Sequence, residues 1–127
     1  MGDDLVPDEI TRLLGAVPTL AQIKGEKIVG PVSGQTRIAR SGMWLLQTAD
    51  RSPADMDGQI QEILSQTTND LAVWQSLSKK YFTELFCGLM LEGTNEGIGL
   101  TPQSLVALGE RGIELGLDIY AKRMPRP

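Results

Sequence analysis

There is no histidine anywhere in the 127 residues of this chain. That removes His-based general acid–base catalysis, Ser-His-Asp triads and histidine-ligated metals at a stroke. A single cysteine, Cys87, removes an internal disulfide framework and a thiolate zinc cage, and it suits a reducing compartment. Aromatic residues make up only 5% of the chain, too few to build the stacking platforms that grip single-stranded nucleic acid. No apolar run approaches bilayer-spanning length. The first residues, MGDDLVPDE, are acidic and carry no apolar h-region, so no secretory signal is expected. These absences point to a cytoplasmic protein without a metal, a cofactor or a catalytic residue.

The chain has the length of one domain, and a single core is expected over 1–127. Hydrophobic residues make up 41% and charged residues 22%, as in ordinary globular domains. The net charge of −4 repels polyanions on average, which disfavours nucleic acid as a partner. The charge is unevenly placed, however. Lys24, Lys27, Arg37 and Arg40 fall in one stretch with only Glu26 as an anion, whereas Asp50 to Asp70 holds five acids and one base, Arg51.

Local signals define the elements. Pro7 opens a helix at its first position, Asp8 and Glu9 complement the helix dipole, and Ile10, Leu13 and Leu14 form the apolar stripe before Gly15. Ser52-Pro53-Ala54-Asp55 reads as a second helix start, with Met56, Ile60, Ile63 and Leu64 on one face. A third helix is expected from about Asp70, carrying Leu71, Trp74 and Leu77 inward and Lys79 and Lys80 at its end. Thr101 and Pro102 begin a fourth, with Leu105 and Leu108 facing in. Ile113 to Tyr120 alternates with period two, which predicts a strand with one face buried and one wet. Phe82 to Leu91 is apolar on both faces and reads as a central strand. Met43 to Thr48 is a further strand with Trp44 and Leu46 on one face. Ile23 to Ala39, rich in glycine, reads as broken strands around a hairpin tip. The tail 122–127 is basic, proline-rich and expected to fray.

Two segments follow one template. LVPDEITRLLGAVPTL (Leu5 to Leu20) and LTPQSLVALGERGIEL (Leu100 to Leu115) match at Leu5 and Leu100, Pro7 and Pro102, Ile10 and Leu105, Leu13 and Leu108, and Leu20 and Leu115. The match predicts a pseudo-two-fold internal repeat. The second copy is preceded by a strand and the first is not, so a leading strand is expected to be absent. The edge it would have covered should then be covered by the helical block or filled by a second copy in a homodimer.

The order Leu5-x-Pro7, Pro18-Thr19, Lys24-Gly25, Arg40-Ser41-Gly42-Met43-Trp44, Leu100-x-Pro102 and Leu117-Asp118-Ile119-Tyr120 resembles the bacterial family catalogued as domain of unknown function 4279. The resemblance runs over almost the whole length. It implies a small α+β domain that usually opens with a strand, and it implies no activity. Val6 stands where the family usually has a capping Asp or Ser. An association of some members with toxin–immunity systems suggests an immunity-like role.

Each candidate site has a plainer rival. Cys87 sits in an apolar strand with nothing in the sequence to lower its pKa, so an inert thiol is expected. Glu92 and Glu96 flank a glycine-bounded loop and read as solvated. Gly30 to Arg37 lacks a phosphate-loop ending. Arg37, Arg40, Ser41 and Trp44 form the densest cluster, against the reading that Trp44 is core and the arginines are solvated. Asp118 and Tyr120 project from the wet face of the last strand, where Arg40 reaching them would complete a polar patch.

The expected architecture is therefore α+β: a two-layer sandwich with a mainly antiparallel sheet of about four strands and helices on one face. The expected function is a non-enzymatic module that binds another protein. Its contact residues would be Lys24, Lys27, Arg37, Arg40, Ser41, Trp44, Asp118 and Tyr120, on a basic hairpin or a sheet edge. The alternative is a small-ligand-binding protein or weak enzyme built on the Arg40, Asp118 and Tyr120 patch.

Overall fold

The computed structural model describes residues 1–30, 33–49, 55–90 and 97–120. Four helices and six strands follow one another in these residues. They are α1 (Pro7–Leu14), β1 (Leu20–Gln22), β2 (Lys27–Val29), β3 (Thr36–Ile38), β4 (Met43–Leu45), α2 (Met56–Ser65), α3 (Leu71–Lys80), β5 (Glu84–Met90), α4 (Pro102–Glu110) and β6 (Glu114–Tyr120). The class is α+β, as the sequence predicts. Ser52 to Ala54, Glu92, Glu96 and the tail 122–127 lie outside the described residues.

The helices form where the sequence punctuates them. Helix α1 starts on Pro7 with no side-chain cap from Val6, and it stops at Gly15. There φ is +70°, the left-handed region that favours glycine, and the Gly15 N–H closes onto the Thr11 carbonyl at 2.9 Å. Asp55 caps α2 by accepting from the Gly58 N–H, and Asp70 caps α3 by accepting from the Ala72 N–H. An aspartate carboxylate at this position satisfies a free N–H and also meets the positive end of the helix dipole.

The sheet differs from the expected one. The described strands form three separate pairs instead of one sheet of about four strands: β1 with β4 and β2 with β3, both antiparallel, and β5 with β6, parallel. The longest pair is the parallel one, because α4 carries the chain back across it as a crossover connection. Strand β5 is consequently not central: among the described residues it pairs with β6 alone, and its Phe86 and Met90 are 60% and 81% exposed.

Packing explains why. The core gathers Leu5, Ile10, Leu14, Ile60, Leu64, Trp74, Leu77, Tyr81 and Leu108, which come from the four helices and their flanking turns. From the described β5–β6 region Leu85, Ile113 and Leu115 pack against it, and Leu89 is buried outside this cluster. Leu117 and Ile119, farther along β6, stay about half exposed.

The two template copies meet the same core through Leu5 and Leu14 in one and Leu108 in the other. Their buried positions are not equivalent, though. Helix α1 buries Pro7, Ile10 and Leu14, whereas α4 buries Ser104 and Leu108 and leaves Leu105 51% exposed. The cause is polar. Asp57 of α2 accepts from the Thr101 N–H at 3.0 Å and the Thr101 hydroxyl at 3.3 Å. Thr101 in turn accepts from the Ser104 N–H. This clamp turns Ser104 inward and Leu105 out.

Candidate binding surface

The basic segment folds as a hairpin because its glycines allow the reversals. In register, Lys27 faces Ile38, Ile28 faces Arg37 and Val29 faces Thr36. The pairing continues through the Ala39 N–H to the Glu26 carbonyl and the Gly25 N–H to the Ala39 carbonyl, at 2.9 and 2.8 Å. Except for half-buried Ile28, every residue of the two strands is exposed.

One buried side chain anchors this hairpin to the body. The Gln22 carboxamide donates to the Ser41 carbonyl at 3.0 Å and accepts from Arg37 Nη2 at 3.2 Å. It thereby fixes one guanidinium over an open hollow of about 720 Å³ lined by Gln22, Arg37, Ala39, Arg40 and Ser41, with Met1 and Ile38 on its apolar side. Among the described residues no carboxylate lines the hollow. Arg40 is exposed and makes no hydrogen bond or ion pair among the described residues. Lys24 pairs with Asp3 at 3.1 Å, both side chains well exposed, and Lys27 is exposed on β2. Sequence reasoning missed Gln22. A polar residue two places after Leu20 carries no pattern that foretells burial.

Gly42 and Trp44 belong to the body rather than to the hollow. A Cβ on Gly42 would lie 2.6 Å from the Gly2 carbonyl oxygen and 2.9 Å from that of Leu5. The partner that approaches this glycine is the chain's own first turn, bridged by reciprocal Gly2 and Gly42 bonds of 3.1 and 3.0 Å. Trp44 packs half-buried against the core, and its Nε1 donates to the Thr11 hydroxyl at 3.1 Å. Its plainer reading as a core residue is the one the geometry favours.

Asp118 and Tyr120 lie elsewhere, on the outer face of β6. The Tyr120 hydroxyl donates to Asp118 Oδ2 at 2.7 Å, and that carboxylate raises the phenol's pKa above its ordinary value. No hydrogen bond or ion pair joins Arg40 to either residue. Cys87 is half-buried, and desolvation pushes its thiol up, away from the reactive thiolate. Among the described residues no group of His, Cys, Asp and Glu is arranged to hold a metal ion, and no helix is long and apolar enough to cross a membrane.

A family model described as Domain of unknown function (DUF4279) matches residues 1–122. The chain belongs to this family. No curated protein and no solved structure matches it. The DUF4279 description carries no activity, so the function of this domain has to be argued from its surfaces.

Proposed function

We propose that this DUF4279 domain is a non-enzymatic protein-interaction module, immunity-like in kind and cytoplasmic, that receives an acidic stretch of another protein on the β2–β3 hairpin. The observation that supports it is the hollow beside the hairpin: Arg37 held in place by Gln22 and, among the described residues, no partner for Arg40 and no carboxylate on the lining, in a chain of net charge −4. Guanidinium groups recognise carboxylates bidentately, and prior fixation of Arg37 reduces what ordering it on binding would cost. Lys24, Lys27 and Ser41 border the same surface.

Affinity capture with the wild-type domain and with an Arg37→Glu, Arg40→Glu variant tests this. A specific acidic partner held by the wild type and lost by the variant is expected. Recovery of the same proteins by both would overturn the hairpin as the contact.

The second reading, a small-ligand site or weak enzyme on Arg40, Asp118 and Tyr120, draws support from the Asp118–Tyr120 bond alone. It requires Arg40 to swing from the hollow to β6. Tyr120→Phe and Arg40→Ala should then abolish binding of the same ligand.

The internal repeat belongs with this proposal. Prolines at the first turn of both helices and a shared core support a common ancestral unit, in which the Asp57 clamp has since rotated one copy.

A further inference from the structure

We infer that two copies of the chain associate through the free edge of β5, antiparallel and about a two-fold axis at Cys87, to make a continuous four-stranded sheet. The inference goes beyond the hairpin reading and stands separately from it.

The ladder fixes which groups are available. The Glu114 N–H bonds to the Thr83 carbonyl at 3.0 Å, so the odd-numbered residues of β5 turn their backbone groups towards β6. Glu84, Phe86, Gly88 and Met90 therefore aim theirs at the opposite edge, where no described residue pairs with them. That edge is closed just before β5 begins. Phe82 and Met1 exchange both backbone bonds, at 3.0 and 2.6 Å, so the open stretch is Glu84–Met90. An unpaired strand edge whose one charged residue, Glu84, stands at its very end is a template for another strand. Strand β6 is the poorer template, because Glu114 and Asp118 blunt it with charge.

Length and side chains then select the register. Centring the axis on Cys87 pairs Glu84 with Met90 and Phe86 with Gly88 of the second copy, and the reverse, so every open backbone group is bonded. Centring it on Phe86 would demand Phe82, which Met1 already occupies. Centring it on Gly88 would demand a partner for Glu84 beyond Met90. In the Cys87 register the inner face sets Leu85 against Leu89 of the second copy. On the outer face Phe86 lies over a glycine, an arrangement in which the ring covers the backbone that glycine leaves bare. The two Glu84 carboxylates end up at opposite ends of the junction. The contact is self-complementary and closed, as a two-fold dimer must be.

The two Cys87 residues fall in a non-hydrogen-bonded pair, with Cα atoms about 4.5 Å apart, within disulfide range. Diamide at alkaline pH, which takes up the two electrons and two protons released by the thiols, is the probe. Light scattering at micromolar protein should give a dimer, diamide should convert it to a covalent dimer, and Cys87→Ser should abolish the cross-link while the dimer persists. Phe86→Lys, at an exposed position, should give a folded monomer, whereas the Arg37→Glu, Arg40→Glu variant should dimerise normally. A monomer at all concentrations would overturn the inference, as would a dimer indifferent to Phe86→Lys or one that diamide cannot link through Cys87.

Discussion

The β2–β3 hairpin and the β5–α4–β6 unit are both built on paired strands, yet they stand in opposite relation to the core. No described residue of the hairpin joins it, and the hairpin is held by main-chain bonds and the Gln22 carboxamide. The β5–α4–β6 unit sends Leu85, Leu108 and Leu115 into it. The lesson is a division of labour. A segment whose side chains are not needed for burial can present them to a partner, and a segment needed for burial shows a partner only its outer face and its edge.

The sharpest way to break the comparison is to truncate one residue on each side of it. Ile60, 1% exposed in the core beside Leu108, should cost about 2–5 kcal/mol on change to alanine. Ile38, 62% exposed on the hairpin, should cost less than about 0.5 kcal/mol on the same change. Urea denaturation of both variants measures the difference, and similar losses would mean that the hairpin is integral to the fold.

Gly42 joins the two regions, since it lies between the hairpin and the body. Gly42→Ala has to push its methyl group against two backbone carbonyls, and a loss of about 1–3 kcal/mol is expected. A neutral variant would show that the first turn yields easily. The thermal midpoint reads this directly.

Arg111 sharpens the contrast between used and unused guanidinium groups. It is buried at the end of α4, donates through Nη1 to the Ala107 carbonyl at 2.9 Å, and leaves its buried Nε without a partner. Arg111→Met keeps most of the volume and removes the uncompensated polar atoms. Stability should be unchanged or higher by up to about 1 kcal/mol. A clear loss would show that the charge itself is used.

The smallest effect expected is a change of slope in acid. The Ser104 hydroxyl and the Thr101 N–H beside Asp57 hold its carboxyl below the ordinary carboxylate value. A carboxyl lowered in the folded state contributes stability that is complete above its unfolded pKa and is lost as pH falls through the folded one. Asp57→Asn should therefore flatten stability across that acid window, as seen by denaturation at a series of pH values.

Much of the fold was legible in the residues. Pro7, Gly15, Asp70, Thr101 and Pro102 act through the backbone next to them, so the starts and stops of helices follow from local chemistry alone. Period-two alternation likewise marked β6, and the apolar run marked β5. The outward half of β6's apolar face was not legible. Alternation says that Leu117 and Ile119 share a face with Leu115, and it cannot say how far the helices extend over that face. The candidate site divides in the same way. The charge of the hairpin was plain from Lys24 to Arg40, whereas Gln22, which organises it, carries no signal. Whether Arg40 reaches Asp118 was likewise not legible, and no hydrogen bond or ion pair joins the two.

The sequence by itself determined the class, the helix limits, the membership of the DUF4279 family and the exclusion of histidine chemistry, because each depends on residue identity or on neighbours a few positions apart. Tertiary structure decided that the described strands pair two by two, that Ser104 displaces Leu105 from the core, and that Arg37 and Arg40 line the same hollow. Those outcomes depend on contacts between residues far apart in the chain. Such contacts are selected by which apolar faces can be buried together and which polar groups must then be satisfied.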